Sequence, residues 1–253
     1  MTGHRELAGE LDRWSTAGLT VRAWWRDDDL SAPGPELDRL LEHVRALAVV
    51  PLLAVIPAGA GTVLAERLDG EPVAIAVHGW SHANHERTGR KAEFGPSRPL
   101  DQARSDLARA RARIRDLFGP RAASVLVPPW NRIRPEFVAQ LPGLGFDLLS
   151  THGSRPSPGA VAGLVQINTH LDVIAWRGDR RFIGADAMAR ELAGRLAARR
   201  TAGPAEPVGL LTHHLAMSPS DWSGFARVCT ALMAHPAVRM IDSRELRGAA
   251  GAA

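Results

Sequence analysis

Short apolar segments alternate with longer amphipathic segments along most of this 253-residue chain. The apolar segments at 50–57, 72–79 and 123–129 resemble strands buried on both faces, which is typical of a parallel sheet covered by helices. Such a sheet arises when each strand is followed by a helix. The alternation therefore predicts an α/β fold. The absence of a Gly-x-Gly-x-x-Gly turn favours a (β/α) barrel of about seven parallel strands over a dinucleotide-binding sheet.

The same pattern assigns the individual elements. Helices are predicted at 4–16, 35–48, 62–68, 101–118, 135–141, 186–200 and 219–234. Strands are predicted at 21–26, 50–57, 72–79, 123–129, 146–151, 207–214 and 237–242, with one long strand or a strand pair at 164–176. We expect one domain over residues 1–247 and a disordered Ala/Gly tail at 248–253.

Composition narrows the functional classes. The net charge of +4 comes almost entirely from arginine, with Lys91 as the only lysine. Because most of these arginines are dispersed, and the run at 104–115 lies on a predicted solvated helix face, we expect no nucleic-acid partner. Cys229 is the only cysteine, so no internal disulfide can form, which fits a reducing compartment.

The N-terminal residues carry acidic side chains and no apolar core of a secretory signal, and no apolar window is long enough to span a membrane. We therefore expect a cytoplasmic protein without a membrane partner. Its oligomeric state stays open.

Acidic residues and histidines follow the predicted strands at their carboxyl ends, where parallel α/β folds gather their chemistry. Because these groups converge from separate strands on one face, they predict a metal site or an acid–base site. The groups are Asp27-Asp28-Asp29 after the first strand, His78 and His82 after the third, Asp172 and Trp176 on the 164–176 segment, and His213-His214 near the end of the 207–214 strand.

His78 and His82 form the most informative pair. Two imidazoles four residues apart on a tight loop can reach one cation, and one added carboxylate gives the set of two histidines and one acid found in hydrolytic metal sites. The alternative is that both histidines only cap a loop. The acid cluster and the second histidine pair at other strand ends favour the metal interpretation.

Five short motifs over residues 21–242 resemble the polysaccharide deacetylase family, the NodB-homology amidohydrolases also classed as carbohydrate esterase 4-like. They follow the family's order, and the chain is similar to a divergent, cytosolic branch. The motifs are Arg26-Asp27-Asp28-Asp29, His78-Gly79-Trp80-Ser81-His82, Val127-Pro128-Pro129-Trp130, Asp172 with Trp176, and Leu211-Thr212-His213. The resemblance implies a distorted, NodB-like (β/α) barrel.

The resemblance also implies roles. Asp28 would be the general base, and Asp29, His78 and His82 would hold one divalent metal ion, Zn²⁺ in first place with Co²⁺, Ni²⁺ or Mn²⁺ as alternatives. The pair could instead be Asp27 and Asp28; otherwise Asp27 faces solvent or an arginine. His213 would be the general acid, with Asp172 holding it in its charged form, and His214 is the rival for that role.

The substrate side is assigned in the same way. Trp80 and Trp176 would form walls of the pocket, and Pro129, Trp130, Asn131 and His214 would also contact the substrate. The Trp130 backbone N–H would stabilise the oxyanion. The polar segment 83–98 is either a lid that offers His85, Lys91 and Glu93 to the substrate or a solvated surface loop.

Three departures mark the divergence. Val127 stands where the family has an arginine, Gly79 where it usually has Ser or Thr, and Leu30 where the common form has Gly; the chain also lacks tyrosine. Arg26 and Arg132 are the alternatives for replacing the missing arginine, and the sequence leaves the choice open. The implied activity is removal of an acetyl or formyl group from an N-acylated sugar or a related small amide. A metal-independent, allantoinase-like amidase and a non-catalytic carbohydrate-binding relative are the alternatives. The expected partner is a small-molecule or oligosaccharide substrate.

Overall fold

The computed structural model describes residues 2–155, 161–202 and 206–249. The chain divides into two compact units. The terminal unit comprises Met1–Arg26, Gly34–Pro51 and Thr169–Ala253, and the central unit comprises Asp27–Pro33 and Leu52–Asn168. The first strand, β1 (Val21–Leu30), contributes its first six residues to the terminal unit and its last four to the central unit.

A parallel sheet forms the centre of the central unit. Its strands are hydrogen-bonded in the order β2 to β6, each parallel to the next. They are β2 (Leu52–Val55), β3 (Ala74–Val77), β4 (Ala122–Leu126), β5 (Leu148–Leu149) and β6 (Val165–Gln166). The helices of this unit are α3 (Thr62–Arg67), α4 (Leu100–Phe118) and α5 (Pro135–Val138), with 3-10 turns at Gly119–Arg121, Pro129–Asn131 and Pro142–Leu144.

Burial explains these elements. Every residue of β2 and of β3 is buried, as expected for strands covered on both faces. Helix α4 is instead amphipathic, because its buried residues recur every three or four positions and its arginines occupy the remaining positions. Its buried residues are Ala103, Leu107, Ala110, Ile114 and Phe118.

The terminal unit contains α1 (Thr2–Thr16), α2 (Pro35–Leu47), α6 (Ala185–Ala202), α7 (Pro219–Met233) and α8 (Leu246–Ala249). Its strands are the start of β1 together with β7 (Leu171–Asp172), β8 (Val208–Thr212) and β9 (Val238–Met240). β1 pairs in parallel with β9, and β7 with β8. Two further 3-10 turns lie at His214–Ala216 and Ser243–Glu245.

Side-chain hydrogen bonds stabilise the helices of the terminal unit. α1 packs on α6, where the indole N–H of Trp14 donates to the Leu196 carbonyl at 3.2 Å. α7 begins at a capping box, in which Ser218 and Asp221 each bind the other's backbone N–H. The capping box agrees with the helix start at residue 219 that the sequence predicts.

The predicted order of strands and helices is confirmed, and the main difference concerns the first strand. It was predicted to end at Arg26 but continues to Leu30, because Asp27 and Asp28 are buried within it. The 164–176 segment contains two short strands rather than one long one. Of the predicted disordered tail, Gly248 and Ala249 belong to α8, and residues 250–253 lie outside the described residues.

The expectation of a single domain over 1–247 stays a prediction.

No helix in the described parts of the chain is long and apolar enough to cross a bilayer.

Candidate metal centre and active-site residues

The three consecutive aspartates at the end of β1 have different environments. Asp27 is fully buried and Asp28 is 2% exposed, whereas the Asp29 side chain is 31% exposed. The alternative that Asp27 faces solvent is therefore wrong. Asp29 has a φ of 72°, and this left-handed residue interrupts the regular alternation of side chains along the strand. Strand periodicity alone therefore could not place its carboxylate.

The Asp29 carboxylate lies between two imidazoles of the central unit. Its Oδ1 atom is 3.1 Å from Nε2 of His78 and 3.2 Å from Nε2 of His82. The three residues present one nitrogen or oxygen atom each, all within 4.8 Å of one another. Among the described residues, this is the one group of three or more such side chains that could hold a metal ion.

His78 is fixed at the end of β3 by two hydrogen bonds. Its backbone N–H donates to the Val55 carbonyl at 2.8 Å, and its ring Nδ1 lies 2.9 Å from the Val127 carbonyl. A carbonyl can only accept, so Nδ1 carries a proton and Nε2 faces Asp29. Val127, which stands where the polysaccharide deacetylase motif that it resembles has an arginine, thus contributes a backbone oxygen that orients a candidate ligand.

The pKa of His78 lies above its ordinary value. Burial by itself lowers the pKa of this imidazole, but the hydrogen bond to Asp29 and the charges of Asp28 and Asp29 raise it above its ordinary value.

Two imidazole nitrogens and one carboxylate are the ligand types of hydrolytic zinc-type sites. The donor set therefore fits one divalent cation.

Glu93 holds the loop that carries the second histidine. Its carboxylate is fully buried and accepts backbone N–H groups from Trp80 at 3.2 Å, Ser81 at 3.0 Å and His82 at 3.2 Å. The 83–98 segment was expected to offer Glu93 to a substrate or to solvent. The structure instead places this side chain in the interior, where it satisfies three successive backbone donors. His85 and Lys91, in contrast, are exposed.

Gly79 is required by the same contact. Its φ is +66°, and a Cβ atom there would lie 2.0 Å from Oε2 of Glu93 and 2.7 Å from Cγ of Pro129. The buried carboxylate therefore occupies the space that a side chain at position 79 would need. This explains why the chain has glycine where the motif that it resembles usually has Ser or Thr.

Trp80 lies against helix α4. The guanidinium carbon of Arg109 is 3.7 Å from the centroid of the indole ring, a cation–π contact. The role of Trp80 as a pocket wall stays a prediction.

The turn after β4 places an aromatic ring beside the candidate metal ligand His82. Trp130 and Asn131 both have left-handed backbone angles, with φ of 55° and 57°. The Trp130 ring is 4.3 Å from the His82 ring, measured between centroids. Pro129 is buried beside Gly79, and Asn131 lines a cavity in the central unit.

Three other predicted residues form a group in the terminal unit. The indole N–H of Trp176 donates to Asp172 at 2.7 Å, and its ring meets the His213 ring edge-on at 4.6 Å. Nδ1 of His213 is 3.9 Å from Oδ1 of Asp172, within ion-pair distance but beyond a hydrogen bond. His214 is 1% exposed and begins the following 3-10 turn. The geometry therefore groups His213 with Asp172 and Trp176.

The structure thus collects the predicted residues in two groups, one within each unit. Sequence reasoning missed the roles of Glu93 and of the Val127 carbonyl. The available signal for Glu93 was its position between the apolar Ala92 and Phe94 within an otherwise polar segment.

No family model matches this sequence, and no curated protein matches it. Its structure does resemble solved structures. A candidate polysaccharide deacetylase from Mycobacterium smegmatis has a TM-score of 0.65 and 16% identity, over 91% of this chain and 90% of that one. A family 4 acetyl xylan esterase from Clostridium thermocellum, in complex with a cobalt ion, has a TM-score of 0.56 and 16% identity, over 89% of each chain. The Puue allantoinase has a TM-score of 0.66 and 11% identity, over 90% of this chain and 89% of that one.

These likenesses define the class of fold. The chain has the NodB-like fold of polysaccharide deacetylases and family 4 carbohydrate esterases, a distorted (β/α) barrel. The fold class predicted from the alternating segments and the five motifs is confirmed.

Proposed function

We propose that this protein is a metal-dependent hydrolase of carbon–nitrogen bonds that removes an acetyl or formyl group from an N-acylated sugar or a related small amide. The observation that carries the proposal is the group of Asp29, His78 and His82, with ligand atoms within 4.8 Å, on a NodB-like fold. The cytoplasmic location predicted from the sequence belongs to the same proposal.

Asp29, His78 and His82 would hold the ion, with Zn²⁺ as the first candidate. A divalent cation in such a site polarises a substrate carbonyl and lowers the pKa of water. The Val127 carbonyl fixes the tautomer of His78, and Glu93 fixes the backbone of His82. These hydrogen bonds would therefore orient two of the three ligands without an ion.

The remaining roles follow the family resemblance. Asp28, buried next to Asp29 in the sequence, would accept the proton of the attacking water. The Trp130 backbone N–H would stabilise the oxyanion. His213 would donate a proton to the leaving amine, with Asp172 favouring its charged form.

A metal-independent amidase is the second candidate, and the likeness to an allantoinase at a TM-score of 0.66 is the observation that favours it. The complete set of one carboxylate and two imidazoles argues against it, since such an enzyme would need none of the three as ligands.

Metal content tests the proposal. Elemental analysis of protein purified without added metal should give about one divalent ion per chain, and the His78→Ala/His82→Ala variant should lose it. His85→Ala is the matched control, because His85 is an exposed histidine on the same segment. A wild-type protein that binds no ion even after divalent ions are supplied would overturn the metal mechanism.

Activity on N-acetyl and N-formyl sugars tests the reaction. His213→Asn should reduce kcat by roughly a hundredfold or more, the usual contribution of a general acid. The matched variant is His214→Asn. A larger loss in His214→Asn than in His213→Asn would reassign the acid.

A further inference from the structure

A cavity of about 430 Å³ lies in the central unit, where strands β5 and β6 meet the turn after β4. Polar lining comes from Asn131, Arg132, Thr151 and Gln166, and apolar lining from residues such as Val138 and Leu149. The volume is within the range of small-molecule sites, and a largely apolar wall with a few polar groups is typical of them.

Residues of the cavity wall follow directly in sequence after a residue of the candidate metal centre. Trp130, whose ring contacts the His82 ring, is followed directly by Asn131 and Arg132 in the cavity wall. The cavity wall therefore begins one residue after a ring that contacts a candidate metal ligand.

Among the described residues that line this cavity, Arg132 is the one with a charged side chain. Its guanidinium donates to the Lys91 backbone carbonyl at 2.7 Å, and no carboxylate of the described residues lies within ion-pair distance of it. Its neighbours add positive charge, since Arg90 and Lys91 are exposed on the facing segment. Partial burial and the charge of Arg90 both lower the pKa of Arg132 from its ordinary value. A guanidinium in this setting is stabilised by an anion.

The neutral part of the wall is held in place by its own hydrogen bonds. Gln166 donates from Nε2 to Thr151 Oγ1 and to Asn168 Oδ1, both at 3.2 Å. Asn168 also accepts the Thr151 backbone N–H at 2.9 Å and donates to the Gly153 carbonyl at 2.8 Å. Such a network fixes polar groups in one orientation, which lowers the entropic cost of binding a polar ligand.

We propose that this cavity binds an anionic group of the substrate, a carboxylate or a phosphate, through the Arg132 guanidinium. The inference rests on the proposed function and narrows its substrate class to N-acylated compounds that carry such a group. Arg132 is then a substrate-binding residue, and the reacting amide lies toward His82 and Trp130.

Direct binding of simple anions tests the site independently of turnover. Inorganic phosphate and acetate are titrated by calorimetry into the His78→Ala/His82→Ala variant, so that any bound metal ion does not contribute. Arg132→Gln in this background should weaken anion binding roughly tenfold or more, as expected for a lost charged hydrogen bond. Arg132→Lys should retain part of the binding.

Arg134→Gln is the matched control. It removes the same charge two residues away, from a side chain that lies 3.7 Å from Glu136 and outside the cavity lining. Anion binding that is undetectable, or equally affected by Arg132→Gln and Arg134→Gln, would overturn the inference. The anion that binds more tightly identifies the carboxylate or the phosphate as the preferred group.

Substrate preference separates this inference from the proposed function. Wild-type enzyme should hydrolyse an N-acetyl sugar bearing a phosphate or carboxylate with a lower KM than its neutral counterpart, and Arg132→Gln should remove that difference. Equal KM values for charged and neutral substrates would overturn the anion site and leave the hydrolase intact. A protein that binds anions at Arg132 but holds no metal would contradict the proposed function instead.

Discussion

The carboxylate of Glu93 lies 3.2 Å from the backbone nitrogen of His82 and accepts its hydrogen bond. The same carboxylate binds the two preceding N–H groups, so one buried acid fixes the loop between β3 and the second candidate ligand. A loop that is already ordered does not have to be ordered when a ligand binds. Glu93 is therefore a positioning residue for the site.

Glu93→Gln should weaken metal binding roughly tenfold, the lower end of what supporting residues contribute, because a carboxamide has one acceptor oxygen for three donors. Glu86→Gln is the matched control. Glu86 lies on the same 83–98 segment, but its carboxylate binds Ser97 and not the N–H groups of residues 80–82. Affinity is measured by competition with a chelator. Equal affinity in wild type and Glu93→Gln would contradict the positioning role.

Gly79→Ala should destabilise the fold by about 2–5 kcal/mol, the sum of a left-handed backbone and an overpacked contact. The contact is with Glu93 and Pro129, at 2.0 and 2.7 Å from the added Cβ. Gly89→Ala has a similar φ of +79° and nothing within 4 Å, so it should cost only about 1–2 kcal/mol. Urea unfolding measures both, and equal losses would contradict the steric explanation.

His170 should make folding stability depend on pH. It is buried and neutral, with Nδ1 accepting the Gly209 N–H at 3.0 Å and Nε2 bound to Glu206 at 2.7 Å. Burial lowers its pKa from 6.5, the Glu206 hydrogen bond opposes this, and the Arg199 charge adds to the lowering. The unfolded chain therefore takes up the proton first, so this contribution is full above about pH 6.5 and is lost as pH falls through the folded pKa.

His170→Asn removes that titration. The variant should lose less stability than the wild type between about pH 7 and about pH 5, whatever its absolute stability. Urea unfolding across this range checks the expectation. An unchanged slope would mean that His170 titrates alike in the folded and unfolded chains.

Cys229 should be unreactive in the folded protein. The residue is 4% exposed, and burial raises the pKa of its thiol far above the ordinary range, so little thiolate forms near neutral pH. A thiol-specific chromogenic reagent should react slowly with native protein and give about one equivalent after denaturation. Rapid labelling of native protein would contradict this burial.

Much of the fold follows from the sequence, because strands buried on both faces and amphipathic helices leave strong periodic signals. The buried strands β2 and β3 lie within the residues predicted for them, and the amphipathic helix α4 begins one residue before its predicted range of 101–118. Signals were weaker where strands are two residues long, as in β5 to β7. Short strands are set by their neighbours rather than by their own residues.

The sequence by itself determined the alternation of strands and helices, the candidate ligands Asp29, His78 and His82, and the expectation that acids and histidines meet at strand ends. Only the tertiary structure decided that Glu93 is buried against the backbone of residues 80–82 and that Gly79 must lack a side chain. The physical reason is that periodicity records which face of an element is buried, whereas the hydrogen bonds of an irregular loop join residues that are 11 to 13 positions apart in the chain.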